Sequence, residues 1–306
     1  SDETVQGFSE TSQTISENAS LLHSLREEME RITSSAEELT AVVEQFSGNV
    51  QELRSAAQTI KESAEQFQAQ LEVEFALNRF AVSASTSLQE RSVGAESMEE
   101  AAQRITDTLY EEFNSEEHLP DLALARIFIA LPREQLNPRD LEAMRKRPFD
   151  DAPRYLALMG TTGTEPAWNE RERSQRHRVI PLPQDAAQLV TIPMLEEMFR
   201  RMDVAYERII HPERFDEAQT IAEGYMLEEQ AEGSSYIPDQ EEFVKPYGIC
   251  SEVGYGGFLP SGAVYTCFLF TTSVLHGHSA DKLQAISPAI QQQLLPFDEA
   301  GNYWKV

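Results

Sequence analysis

A heptad repeat near the start of the chain limits the possible folds more than any other feature of the sequence. From Leu22 to Leu71, apolar residues recur at alternating spacings of three and four positions. The a positions are Leu22, Met29, Ala36, Val43, Val50, Ala57, Ala64 and Leu71, and the d positions are Leu25, Ile32, Leu39, Phe46, Leu53, Ile60 and Phe67. A period of 3.5 keeps one seam of a helix facing a partner helix. We therefore predict a dimeric coiled coil over residues 1–70; the alternative is one amphipathic helix packed on a globular core.

The tripeptide Ser47-Gly48-Asn49 interrupts the repeat with a turn-like sequence. A glycine in a helix interior costs about 1 kcal/mol relative to alanine, so the chain could fold back here into a helical hairpin. Phe46 and Val50 nevertheless stay in phase across the tripeptide. This phase favours a continuous rod over the hairpin.

Small residues are frequent between Thr33 and Ala41, and this segment resembles the cytoplasmic helices of methyl-accepting chemoreceptors and related signalling helices. In those proteins, paired Glu or Gln residues flanked by small residues are methylated. Glu37 and Glu38 match that pattern, whereas Val42 stands where a small residue is usual. The resemblance implies a coil that dimerises and conducts a signal.

The charge of the chain restricts its partners. It has 25 Lys and Arg residues against 52 Asp and Glu residues, a formal net charge of -27. Such a surface repels phosphate backbones and anionic lipid headgroups, so we expect no nucleic-acid binding and no direct membrane binding. The sequence also has no run of eighteen apolar residues, no signal-peptide pattern and only two cysteines. We expect a cytoplasmic protein, and a receptor with a membrane-spanning part upstream of Ser1 is also compatible.

Beyond Pro120, helical periodicity gives way to short apolar runs separated by turn signals. The helix over residues 71–113 has a weak point near Ser92-Val93-Gly94. The predicted strands are Leu122–Leu131, Arg154–Met159 (ended by a turn at Gly160–Gly163), Gly224–Glu229, Ile249–Phe258 and Ala263–Thr272. The predicted helices are Met194–Met202, Gln240–Val244 and Ala280–Leu295, the last broken or kinked before Pro288. This order indicates an α+β fold, an antiparallel sheet with helices on its faces.

Two stretches resemble the GAF family of small-molecule sensory domains. The run FVKPYGICSEVGYGGFLPSGAVY, from Phe243 to Tyr265, resembles the end of GAF-like input modules that precede bacterial histidine kinases and cyclases. The segment Glu165–Asn169, followed by His177 and Ile180-Pro181-Leu182, is similar to the same group. The resemblance implies a GAF-like sensory domain over residues 71–306 of a bacterial signalling protein.

A GAF-type pocket would lie at the loops and strand ends where many of the aromatic residues occur, although most aromatic residues at such positions are ordinary core. Asn169 and His177 are candidates to orient a ligand. Arg171 belongs to a basic group with Arg173, Arg176 and Arg178 that could bind a carboxylate or phosphate, or simply balance local acids. The predicted ligand-binding residues are Trp168, Asn169, Arg171, His177, Tyr236, Phe243, Tyr247 and Tyr255.

Other motifs do not indicate catalysis. Gly254-Tyr255-Gly256-Gly257 begins like a dinucleotide fingerprint, but Leu259 stands at the third glycine position, within a predicted strand. A bulge or a close backbone approach is therefore favoured over a phosphate site. The sequence identifies no catalytic residue, no metal site and no cofactor, and His276 and His278 are interpreted as loop residues. Cys250 and Cys267, in the two arms of the predicted hairpin, are candidates for a close pair.

The sequence predicts a signal-transduction sensor and not an enzyme. A small molecule or a partner protein would bind the GAF-like domain, and a homodimeric coiled coil would relay its state. The alternative is a scaffold protein whose degenerate GAF-like domain docks a partner. An enzyme using His177 and the basic group is a third hypothesis, for which spacing identifies no acid and base pair.

Overall fold

The computed structural model describes residues 2–119, 121–144, 151–174, 177–215 and 224–305, and these form two compact units, Ser1–Ala69 and Gln70–Val306. The α-helices are α1 (Asp2–Arg91), α2 (Met98–Ser115), α3 (Pro138–Met144), α4 (Pro193–Arg201), α5 (Tyr206–Ile210), α6 (Gly277–Gln284) and α7 (Ser287–Ala300). The strands are β1 (Leu122–Pro132), β2 (Arg154–Gly163), β3 (Val179–Leu182), β4 (Met226–Glu228), β5 (Ser251–Phe258) and β6 (Val264–Thr271). In the described residues, no helix is long and apolar enough to cross a bilayer.

The first unit consists of the N-terminal part of α1. The helix continues through Ser47-Gly48-Asn49, so the rod is formed and the helical hairpin is not. The apolar a and d side chains lie on the helix surface; Phe46 is 69% exposed and Leu53 is 70% exposed. A helix that exposes a heptad stripe of this length has a surface suited to a partner helix.

In the second unit, an antiparallel sheet has the strand order β3-β2-β1-β6-β5-β4. The α+β fold that the sequence predicts, a long helix followed by an antiparallel sheet with helices, is confirmed. The predicted positions of β1, β5, β6 and the helical turn Gln240–Val244 are also confirmed, and the weak point after Arg91 separates α1 from α2.

The two faces of the sheet are covered differently. Residues 70–91 of α1, together with α2, α6 and α7, cover one face, which we call the helical face. Segments between β2 and β5, including α4 and α5, cover the other face, which we call the loop face. Residues of β1 point to the two faces of the sheet, as the pleat of a strand requires. Ile127 and Ile129 pack on the helical face, and Leu124 and Phe128 pack on the loop face.

Strand β2 differs from the prediction because it continues through Gly160–Gly163, where the sequence predicts a turn. Met159 is an extra residue opposite β1, since Ile127 pairs with Gly160 and Phe128 with Leu158. A Cβ atom on Gly160 would overlap the carbonyl oxygen of Ala102 in α2. Gly160 therefore lies beside a bulge, where it allows α2 to pack closely on the sheet. It does not form a turn.

Two further differences have local causes. Strand β3 was not predicted because it has four residues and contains Pro181, which weakens the strand signal. Helix Ala280–Leu295 is divided into α6 and α7 at Ala285 and Ile286, and this break before Pro288 is confirmed.

Candidate ligand-binding cavity

A cavity of about 640 Å³ lies on the loop face of the sheet. Strands β1, β2, β3 and β6 provide its floor, which includes Leu124, Phe128, Leu156, Phe268 and Phe270. Its other walls come from residues within 167–174, from His177, and from the segments around residues 191–195 and 235–247. Ligand pockets usually measure about 300–1,000 Å³ and have mostly apolar walls, so this cavity has the size and lining of a small-molecule site.

Aromatic side chains form one wall. The ring centroids of Trp168 and Tyr247 are 4.5 Å apart, those of Trp168 and Phe243 are 5.4 Å apart, and Phe243 meets Phe270 at 5.2 Å. All three pairs are edge-to-face, the arrangement that aromatic quadrupoles favour. The helical turn Gln240–Val244 positions Phe243, so the wall joins two segments that are far apart in sequence.

The polar residues around Trp168 fix the position of the tryptophan. Thr161 Oγ1 donates a 2.8 Å hydrogen bond to the carbonyl oxygen of Trp168. The amide of Gly163 donates a 2.7 Å hydrogen bond to Asn169 Oδ1. Asn169 does not line the cavity, and its side chain anchors the loop that carries Trp168 to the end of β2.

Arg126 on β1 lies in the cavity floor and is partly buried. Its Nε atom donates a 3.4 Å hydrogen bond to Thr161 Oγ1, and no acceptor for either Nη atom is present among the described residues. Burial lowers the pKa of Arg126 to about 10, and Asp239 acts in the opposite direction. Since that pKa is still far above neutrality, the cavity floor carries a positive charge.

The charged residues of the other walls are already engaged. His177 Nε2 lies 3.7 Å from Asp239 Oδ2. Arg173 pairs with the neighbouring Glu170 at 2.7 Å on the protein surface. Asp239 has a φ of 58°, the left-handed region that Asp tolerates better than most residues, and it immediately precedes the turn that carries Phe243.

The structure brings together five of the eight predicted ligand-binding residues, namely Trp168, His177, Tyr236, Phe243 and Tyr247. Asn169, Arg171 and Tyr255 do not line the cavity. Residues of the cavity that were not predicted include Arg126, Asp239 and Glu242. The one sequence signal for Arg126 is its isolated charge within the apolar run LALARIFIAL of β1.

Arg171 is buried in an ion-pair cluster with Asp140 and Arg178. Its Nη2 atom pairs with Asp140 Oδ2, and Arg178 Nε lies 2.8 Å from Asp140 Oδ1. Burial raises the pKa of Asp140, and both guanidinium groups oppose this rise. The Arg171 guanidinium also lies 4.5 Å from the ring centroid of Trp304. The cluster joins α3, the segment before β3 and the C-terminal segment. Arg176 of the predicted basic group lies outside the described residues.

Tyr255 is fully buried on the helical face of β5, opposite Cys267 on β6. Burial raises the pKa values of both side chains. Tyr255 is the strand partner of Cys267, and Cys250 lies five residues before Tyr255, about 16 Å along the strand at 3.3 Å per residue. The predicted close approach of the two cysteines is therefore wrong.

Glycines in β5 permit a close approach of backbone and side chains. A Cβ atom on Gly257 would lie 2.9 Å from the ring of Tyr265, and one on Gly254 would lie 2.9 Å from the ring of Phe268. The pairing of β5 with β6 is regular over its whole length. The close approach predicted for this stretch is confirmed, without a bulge.

We expect that Glu252→Gln stabilises the second unit at pH 8 relative to the wild type. Glu252 is completely buried in β5, and neither carboxyl oxygen has a hydrogen-bond partner in the described residues. Burial, and secondarily Glu228, raise its pKa well above 4.5. The stability contributed by the protonated carboxyl is therefore complete below about pH 4.5 and is lost as pH rises through the folded-state pKa.

Urea unfolding of both proteins from pH 5 to pH 8 tests this expectation. The difference in the free energy of unfolding should grow with pH, and the exposed control Glu232→Gln should show no such growth. A constant difference across this range would show that Glu252 does not titrate with folding.

His276 precedes α6 and is a loop residue, as predicted, whereas His278 lies in the first turn of α6 and not in the loop. His276 Nδ1 lies 3.2 Å from Glu229 Oε2. Among the described side chains, no cluster of three or more His, Cys, Asp or Glu residues could hold a metal ion.

Comparison with known proteins gives one structural neighbour to describe. No family model matches this chain, and no curated protein matches it. Among solved structures, the GAF domain from Acinetobacter phosphoenolpyruvate-protein phosphotransferase is similar, with 10% sequence identity and a TM-score of 0.37. The alignment covers 72% of this chain and 97% of that domain.

Proposed function

We propose that the chain is the sensor module of a cytoplasmic signal-transduction protein, and that its role is binding rather than catalysis. In this proposal, a small molecule occupies the cavity on the loop face, and a homodimeric coiled coil formed by the first unit relays the bound state. The observation that carries the proposal is a cavity of about 640 Å³ with an aromatic wall and a positive charge in its floor.

Strand β1 offers a physical route from the cavity to the helix. Arg126 and Phe128 line the cavity, while Ile127 and Ile129 of the same strand pack in the core of the helical face. That core also contains Leu77, Phe80, Ala84 and Leu88 of α1. A ligand that binds one position of β1 better than another would therefore favour one packing of α1 over another.

A second copy of this chain is the partner that best fits the exposed stripe of the first unit. Seven heptads remain in phase, and the apolar a and d side chains are exposed along α1. Two such stripes can bury each other by knobs-into-holes packing, which requires the matched period of two heptad repeats. We propose the homodimer as the form in which the sensor acts.

The double variant Phe46→Asp/Leu53→Asp is expected to convert the dimer into monomers. Each substitution places a charge in the apolar seam, where an unpaired charge is strongly unfavourable. Analytical ultracentrifugation at 10–50 µM chain would measure the mass, and circular dichroism would report the loss of helix, since an isolated helix is only marginally stable in water. The dimer constant should weaken by at least about 100-fold, corresponding to roughly 3 kcal/mol.

A matched control is Gln45→Asp/Ser55→Asp, which adds the same two charges at the outward c and f positions. The control should remain a dimer with wild-type helicity. Wild-type protein that is monomeric at these concentrations would refute the homodimer, as would a seam variant that dimerises as well as the control.

Native mass spectrometry of the freshly purified chain tests the sensor proposal itself. A mass increment from a small molecule, absent from the denatured chain, supports ligand binding in the cavity. The alternative is a scaffold whose second unit docks a partner protein. A dimer without a small-molecule increment, together with no binding in a screen of small molecules, would favour that scaffold.

A further inference from the structure

We infer that the cavity takes an organic monoanion, whose carboxylate pairs with Arg126 and whose flat apolar body packs against the wall of Trp168, Phe243 and Tyr247; this inference rests on the proposed function. It specifies the chemical class of the ligand from the charge and lining of the cavity.

The guanidinium of Arg126 supplies the recognition of negative charge. Its Nη atoms have no acceptor among the described residues, although the side chain is partly buried in an apolar floor between Leu124 and Phe128. A guanidinium in a mostly apolar surround attracts an anion more strongly than one in open water, because its charge is screened less. The planar fork of arginine matches the two oxygens of a carboxylate, which would satisfy these donors.

The surrounding charges favour a single negative charge on the ligand. Among the described lining residues, the acids Asp239 and Glu242 equal the arginines Arg126 and Arg173 in number, so the lining has no surplus positive charge for a second anionic group. Arg173 is already paired with Glu170, and His177 lies beside Asp239, so neither adds a full uncompensated positive charge. A phosphate monoester, with its second charge near neutral pH, fits this arrangement less well than a carboxylate.

The apolar lining indicates the rest of the molecule. Trp168, Phe243 and Tyr247 line the cavity together with the floor residues Phe268 and Phe270, and Phe243 contacts Phe270 at 5.2 Å where the wall and the floor meet. A planar ring gains apolar burial and edge-to-face or stacked contacts against such a lining. The volume of about 640 Å³ accommodates a molecule of two or more fused rings.

Isothermal titration of the full chain with naphthalene-2-carboxylate, naphthalene-2-carboxamide and naphthalene-2,6-dicarboxylate tests the inference. The three probes share one flat body and differ in charge. We expect wild-type protein to bind the monocarboxylate at least about tenfold more tightly than either other probe, because the guanidinium forms a stronger hydrogen bond with a charged carboxylate than with a neutral amide. Equal binding of carboxylate and carboxamide would overturn the inference.

Variants of Arg126 locate the charge recognition. Arg126→Met should weaken binding of the monocarboxylate at least about tenfold and leave the carboxamide within about threefold. Arg126→Lys keeps the positive charge but lacks the planar guanidinium, so it should bind the monocarboxylate with intermediate affinity. This variant replaces Arg126→Met in the test if the Met variant does not fold. The control Arg79→Met removes one positive charge from an exposed pair with Glu116 and should bind like the wild type. Retention of the carboxylate preference in Arg126→Met would overturn the assignment.

The same samples separate failure of this inference from failure of the proposed function. If the chain purifies with a neutral or cationic small molecule, or binds the carboxamide best, the sensor proposal stands and the monoanion is wrong. If none of the three probes binds, the ligand class inferred here is also wrong. If, in addition, the native mass shows no small-molecule increment, the sensor proposal is wrong as well.

Discussion

Replacement of Asp140 by alanine is expected to lower the free energy of unfolding of the second unit by about 3–5 kcal/mol. The carboxylate is completely buried between the guanidinium groups of Arg171 and Arg178. After its removal, the nearest acidic partner of the buried Arg171 within the described parts of the chain is Glu99, at 3.7 Å. The loss is large because the variant retains the desolvation of both arginines without the carboxylate that compensates it.

Urea unfolding followed by tryptophan fluorescence would measure this loss, since both tryptophans, Trp168 and Trp304, belong to the second unit. Glu170→Ala is the matched control, because it removes an acid from an exposed pair with Arg173 and should change stability by less than about 1 kcal/mol. A similar small change in Asp140→Ala would show that the buried cluster contributes little to the fold.

Phe80→Ala is expected to destabilise the second unit by a similar amount, about 3–5 kcal/mol. Phe80 is fully buried on the helical face, where its ring meets the ring of Phe113 at 4.9 Å in an edge-to-face contact. Alanine would remove this contact and leave a cavity between α1 and α2, which close-packed neighbours fill only in part. If the proposed relay is right, the variant also weakens the link between β1 and α1.

Phe75, on the same helix, provides the control variant for Phe80→Ala. Phe75 is 62% exposed, and Phe75→Ala should change the free energy of unfolding by less than about 0.5 kcal/mol. Equal destabilisation by both variants would indicate a general loss of helix rather than loss of core packing. Together the two measurements distinguish the packed and exposed sides of α1.

The elements that sequence predicts best are those whose signal is local. The heptads, the weak point after Arg91 and the break before Pro288 each depend on a few neighbouring residues, and the structure contains the corresponding helix and breaks. The turn predicted at Gly160 was wrong because this glycine is required by the close approach of Ala102, which lies in α2. Long-range packing of this kind leaves no periodic signal in the chain.

The cavity was partly predictable for a similar reason. Trp168 and Phe243 are aromatic residues near loops, and both line it. Arg171 was predicted to bind ligand because it belongs to a basic group, and its ion-pair partner Asp140, 31 positions earlier, cannot be identified from the sequence. Tyr255 could not be assigned to a face, since every residue of β5 is buried and the strand has no polar alternation to distinguish its two sides.

The unbroken course of α1 restricts how the length of this protein can change during evolution. In a continuous helix, each inserted or deleted residue shifts the following turns by 1.5 Å and about 100°. A single-residue insertion between Leu25 and Phe67 would therefore turn the apolar a and d side chains that follow it away from the line of those that precede it. Seven residues restore the direction to within about 20°. Homologous chains should accordingly differ in this region by whole heptads, and chimeras with other coils should be joined at the same heptad phase.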